Sequence, residues 1–121
     1  SDLVDQIRSK PNDAFSYPAI DPVNVDFSKY DTVIIGTPLW WSNIAAPMQT
    51  FLFHNGKAMA GKKIGLIVSS ASSGISGVER DAKRLIPEGN FTKSLWIRSY
   101  QVSSAPKMVS EWLKANDLAF K

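Results

Sequence analysis

Two short apolar runs restrict what this chain can fold into more than any other feature. They are Val33-Ile34-Ile35 and Ile64-Gly65-Leu66-Ile67-Val68. Both are the length of strands, both are rich in β-branched residues, and turn-forming residues bound them: Asp31 and Gly36 around the first, Gly61-Lys62-Lys63 before the second. Runs that are apolar on both faces are how strands read when helices cover both sides of a parallel sheet.

The segments between and around them have helical spacing. Leu3, Val4 and Ile7 form one stripe, with Ser1 or Asp2 as cap and Pro11 as stop. Pro11 to Lys29 carries three prolines and little periodicity, so it is expected to lie across the surface, pinned by Phe15, Tyr17, Ile20 and Phe27. After the first strand, Pro47 opens a short helix with Met48, Phe51 and Leu52 facing inward, ended by Asn55-Gly56. After the second, Ser76 and Glu79 form an S-x-x-E capping box for a helix that buries Val78, Ala82 and Leu85 and stops at Pro87-Glu88-Gly89. Leu95-Trp96-Ile97 is a third strand. Ser104 can cap a last helix with Met108, Val109, Trp112 and Leu113 as its stripe, ended by Asn116-Asp117. Helices and strands alternate throughout, which predicts a parallel sheet and the α/β class.

That sheet reads as incomplete. Crossovers between parallel strands are right-handed, so the two intervening helices fall on one face. The first and last helices are then expected to cover the other. A strand as apolar as Val33-Ile34-Ile35 is out of place at an edge. It asks for a neighbouring strand that this sequence does not contain.

Composition narrows the class further. The chain has 121 residues, 44% hydrophobic and 21% charged, as expected of one globular domain over residues 1–121. No apolar run approaches the roughly 20 residues of a membrane span. The start, SDLVDQIRSK, has no apolar core segment of a signal peptide and no initiator Met, so a trimmed or partial chain is expected. The absence of cysteine excludes disulfides, thiolate metal sites and cysteine catalysis, and fits a cytoplasmic protein. A net charge of +3 is spread over Lys62-Lys63, Arg80, Lys83-Arg84, Lys93, Arg98 and Lys107, the pattern of a solvated surface rather than a nucleic-acid patch.

Ligands of open α/β sheets bind at the carboxyl ends of the strands. There the first strand is followed by the loop Thr37-Pro38-Leu39-Trp40-Trp41-Ser42-Asn43 and the second by Ser69-Ser70-Ala71-Ser72-Ser73-Gly74-Ile75. Two readings of the paired tryptophans are open: caps on the core, or a platform for a flat aromatic ligand. Other chemistry is poorly supplied. His54, the one histidine, suits a helix C-terminus, and no serine sits in a hydrolase elbow. Asp5, Asp21, Asp26, Asp31 and Asp81 do not cluster; Trp96 and Trp112 read as core, and Tyr100 reads as packing or as reaching the ligand end.

YDTVIIGTPLWWSNIAAPMQTFL followed by GKKIGLIVSSASSGISGVERDAKRLIP resembles the flavodoxin family, and within it the flavodoxin-like proteins with a P-x-W-W loop. The likeness runs from about Tyr17 to Trp112. It implies an α/β fold with a parallel sheet and helices on both faces, lacking its first strands, in which the three strands here are the family's third, fourth and fifth. It also implies FMN as cofactor, held by Thr37, Pro38, Leu39, Trp40 and Trp41 on one side and Ser70, Ala71, Ser72, Ser73 and Gly74 on the other. Electron or hydride transfer, as in an FMN-dependent oxidoreductase, would follow from the resemblance, with a redox protein or a small-molecule electron acceptor as partner. Two departures qualify this. The family's phosphate loop is absent, so weak or no FMN binding is expected unless that portion comes from elsewhere, and a module that serves in interaction is the alternative. A pI near 9.3 differs from the acidic charge of electron-shuttling flavodoxins. A homodimer paired through the open sheet edge is a further expectation.

Overall fold

The computed structural model describes residues 2–21 and 23–118. The elements in order are α1 (Asp2–Ser9), β1 (Thr32–Trp40), β2 (Asn43–Ile44), α2 (Ala46–Asn55), β3 (Lys63–Ser70), α3 (Ser76–Leu85), β4 (Asn90–Phe91), β5 (Leu95–Arg98) and α4 (Ala105–Ala115). The three expected strands are present and parallel. β3 is central, with β1 on one side in register from Thr32 opposite Lys63 to Pro38 opposite Ser69. On its other side β4 and then β5 pair with successive stretches of β3. One antiparallel strand was not expected: β2 turns back on the end of β1, with Leu39 opposite Ile44 and Trp40 opposite Asn43. The residues Thr37–Trp40, read from sequence as loop, therefore continue the strand.

The core lies on one face of the sheet. Ile35, Ile64, Leu66 and Val68 meet Leu52 of α2 and Val78, Ala82 and Leu85 of α3 in one buried cluster. Val4 and Ile7 of α1 belong to the same cluster, so α1 packs beside α2 and α3 and not on the opposite face, as the sequence reading had it. The cause lies in α1's attachments: Arg8 in its last turn donates to the Trp41 carbonyl and to the Asn43 side chain on that side of the sheet. Only α4 remains, among the described residues, for the other face. Its Trp112 covers Gly65 of β3, where an added Cβ would stand 2.7 Å from the indole, and its Nε1 donates to the Lys93 carbonyl at 2.6 Å. The same face of β1 is bare: Ile34 is 44% exposed, and no atom lies within 4 Å of where a Gly36 Cβ would stand.

Several local expectations change for physical reasons. Phe15 is 96% exposed and pins nothing, because Asp13 caps a 3-10 turn at Ala14–Ser16 that leaves it outside. Tyr17 and Phe27 are buried as expected; Tyr17 stacks on Phe53 with centroids 4.3 Å apart and donates to the Pro11 carbonyl at 2.7 Å. The capping box at Ser76 does not form. Ile75 is the N-cap without a side-chain bond, while Glu79 turns away to accept from Ser94 Oγ at 2.8 Å. Leu3 is 40% exposed and outside the α1 stripe, Ser104 stands at the α4 cap without a side-chain bond, and Ser1 lies outside the described residues.

Replacing Trp112 with alanine is expected to cost about 3–5 kcal/mol, the usual effect of emptying a large aromatic site. Urea unfolding measures it; a cost under about 1 kcal/mol would mean α4 does not hold the sheet.

Candidate functional site

The end of β1 and the end of β3 lie side by side, since Pro38 and Ser69 are the last paired residues of that ladder. Strand alternation sorts the residues between faces. Thr37 and Leu39 point to the core side: Thr37 is 5% exposed, accepts from the Ala45 N–H at 3.2 Å and donates to the Pro38 carbonyl at 2.9 Å. Pro38 and Trp40 point to the bare side, together with Ser69 across the ladder. Trp40 is 38% exposed and Trp41 68%, so neither serves mainly as a core cap.

Trp41 and Ser42 form a two-residue reversal between β1 and β2, and both have positive φ, 51° and 68°. A hairpin favours that left-handed pair, but with Asn or Gly in it. At other residues such backbone costs on the order of 1–3 kcal/mol and persists where its surroundings over-determine it. Those surroundings are identifiable. Asp81 on α3, 7% exposed, accepts from Asn43 Nδ2 at 2.8 Å and from the Ile44 N–H at 3.1 Å through one carboxylate oxygen. Arg8 holds the Trp41 carbonyl from the other flank at 2.7 Å. Gly77, in the first turn of α3, lets the Ser42 carbonyl come so close that an added Cβ would stand 1.9 Å from its oxygen.

The second loop is steadied by β5. Trp96 Nε1 donates to Ser70 Oγ at 2.8 Å, and Ser70 Oγ donates to the Ser73 carbonyl at 2.8 Å. The Ser99 N–H and hydroxyl reach the Ala71 carbonyl at 3.3 and 3.2 Å. Ala71, Ser72, Ser73 and Gly74 are exposed. Trp96, expected in the core, is only partly buried and supports this loop instead, while Tyr100 is 71% exposed, with the Arg98 guanidinium 5.3 Å from its ring centre.

The structure brings both candidate loops to one end of the sheet. It adds Ser69, Asn43, Asp81, Arg8 and Gly77, none of which the sequence reading assigns to the site. Asp81 and Asn43 are 38 residues apart and carry no motif. Gly77 did leave a signal: glycine at a helix start is unfavourable unless something approaches closely.

This is the architecture of an open α/β protein, and comparison with known proteins agrees. A family model described as flavodoxin matches residues 5–116, and the chain belongs to the flavodoxin family. No curated protein matches it. Among solved structures it is similar to a candidate flavoprotein of Bacteroides eggerthii, with TM-score 0.67 and 24% identity over 92% of this chain. A candidate flavoprotein of Bacteroides uniformis gives TM-score 0.64 and 25% identity over 84%. A flavoprotein of Lactobacillus acidophilus, solved in complex with FMN, gives 0.61 and 22% over 84%. The chain spans 66%, 64% and 64% of the length of these proteins.

Gly77→Ala is expected to push the tryptophan turn off α3 and to destabilise the protein by about 1–3 kcal/mol, the usual cost of overpacking. Thermal unfolding and the tryptophan emission spectrum measure both effects. Unchanged stability with an unchanged spectrum would show that the turn does not depend on this contact.

Proposed function

We propose that this chain binds FMN at the carboxyl ends of β1 and β3 and takes part in electron or hydride transfer. The observation that carries the reading is the strained turn that holds Trp40 and Trp41 out of the core at the strand ends, 38% and 68% exposed. Family membership and the FMN complex of the Lactobacillus acidophilus flavoprotein make FMN the ligand to test first. The residues present fit a flat ring. Trp40 shares the bare face with Pro38 and Ser69 and is the stacking platform; Trp41 flanks it. The exposed backbone of Ser72, Ser73 and Gly74 supplies N–H donors to the ring's polar edge, with Ser70 and Ala71 fixing that loop from behind.

When bound, the flavin supplies the electron chemistry, and the chain's part is to orient the ring, shield one face from water and bias its charge state. Thr37 and Leu39 contribute from the core side by setting the strand that carries Trp40. A basic chain favours anionic partners, whether a redox protein or a small electron acceptor. A single domain over residues 1–121 and a cytoplasmic setting belong to the same proposal. No helix among the described residues is long and apolar enough to cross a membrane.

Titration of the flavin-free protein with FMN, followed by flavin absorbance, tests the reading. Weak binding is expected, because the family's phosphate loop is not in this sequence, and Trp40→Ala is expected to weaken it by about a further tenfold, since stacking contributes about 0.5–1.5 kcal/mol beyond the area it buries. Trp41→Ala should have the smaller effect. No binding at millimolar FMN overturns the reading.

An interaction module is the second reading, and one observation favours it. Between Thr32 and Pro38, β1 pairs on the β3 side alone among the described residues, and its Ile34 face is bare. A second copy could pair along that edge. Sedimentation over a dilution series should then show a dimer that dissociates; a monomer at every concentration rules this out.

A further inference from the structure

We infer that the cleft on the opposite flank of the tryptophan turn, between α1 and α3, is a phosphate-binding site. The inference stands apart from the flavin reading, because the cleft can take a phosphate whether or not a flavin binds. It has a volume of about 490 Å³, and Arg8, Arg80 and Arg84 line it together with Ser42, Ser73 and Ser76. Against three guanidiniums there is one carboxylate in the wall, Asp81. One oxygen of that carboxylate is taken up by Asn43 and the Ile44 N–H, and the other faces Arg84 at 3.6 Å.

Two of the arginines are held in place by the protein. Arg8 is fixed on the Trp41 carbonyl at 2.7 Å, and Arg84 on the Tyr17 hydroxyl at 2.9 Å and Gln49 Oε1 at 3.2 Å. A guanidinium has five N–H donors, so these bonds orient each group and leave donors over. Arg80 has no hydrogen bond or ion pair among the described residues, nor do the hydroxyls of Ser42, Ser73 and Ser76. The acid that belongs to the first turn of α3, Glu79, has turned to Ser94. No side chain caps that helix, so its N-terminal N–H groups at Ser76 and Gly77 add positive potential to the same wall.

Three guanidiniums in one wall, of which Arg80 has no acidic partner while Arg8 faces the exposed Asp5 at 3.6 Å and Arg84 faces Asp81 at 3.6 Å, match a phosphate group beside free hydroxyls, since phosphate takes guanidinium forks in pairs. The cleft is larger than inorganic phosphate and suits an organic phosphate. That group has two possible sources: the phosphate tail of FMN lying across the turn, or the phosphate of a co-substrate that enters beside it.

Calorimetric titration of flavin-free protein with pyrophosphate tests the site, with Arg80→Ala and Arg80→Glu alongside. Arg80 is exposed and unpartnered, so both variants should fold, as circular dichroism can check. The expected result is saturable binding that weakens as NaCl rises, falls about tenfold in Arg80→Ala, as loss of one charge-assisted hydrogen bond predicts, and falls further in Arg80→Glu. Amide shifts in NMR should centre on Ser42, Ser73 and Ser76. No binding at millimolar pyrophosphate, equal binding by both variants, or shifts elsewhere would each overturn the site. If FMN binds, competition with pyrophosphate assigns the cleft to the flavin's tail, and simultaneous binding assigns it to a co-substrate. If FMN does not bind, the flavin reading fails alone and the pyrophosphate titration still decides the cleft.

Discussion

The carboxylate of Asp81 is the contact on which the site depends. It sits nearly buried on α3 and gathers two donors from the return strand of the tryptophan turn, one side-chain amide and one backbone N–H. Hydrogen bonds to a charged group contribute about 1.5–3 kcal/mol each, enough to offset left-handed backbone at Trp41 and Ser42. With Arg8 on the other side and Gly77 clearing the approach of Ser42, α1 and α3 clamp the turn between them. Packing alone would have drawn two tryptophans inward. The polar clamp holds them out.

The same clamp explains the asymmetry of the sheet. α1 follows Arg8 to the face already occupied by α2 and α3, and α4 reaches over β3 and β5 but not β1. The result is one thick, well-buried face and one face of β1 left open from Ile34 to Trp40. A strand that carries Val33-Ile34-Ile35 with a free edge and a free face is built for a neighbour. In the solved relatives about a third of the length has no counterpart here, 34% in the Bacteroides eggerthii protein by difference from the 66% matched. The openness of β1 and the exposure of Trp40 are thus two ends of one surface.

Much of the fold was legible because it rests on local periodicity. The runs at Val33 and Ile64, the stripe Val78, Ala82, Leu85 and the stop at Asn55-Gly56 all stand where spacing and turn chemistry place them. Two of the misreadings share a cause, which is competition from a partner distant in sequence. Glu79 abandons its capping box for Ser94, and the strand runs on through Thr37 and Pro38 beside β3 and through Leu39 and Trp40 because Asn43–Ile44 returns to pair with them. Phe15 was expected to anchor the long connection, yet Tyr17 takes the place against Phe53. The candidate loops were legible as Ser/Gly-rich and aromatic stretches following strands; their faces and their supports were not.

By itself the sequence determined the class of fold and its three main parallel strands, because burial on two faces and helical spacing are written in neighbouring residues. The tertiary structure alone decided which side α1 covers, which of Thr37, Pro38, Leu39, Trp40 and Trp41 face solvent, and that three arginines meet beside the turn. Those outcomes depend on contacts between residues such as Asn43 and Asp81, or Arg8 and Trp41, that lie more than 30 positions apart. No local pattern encodes such a pair; it exists only once the chain has closed on itself.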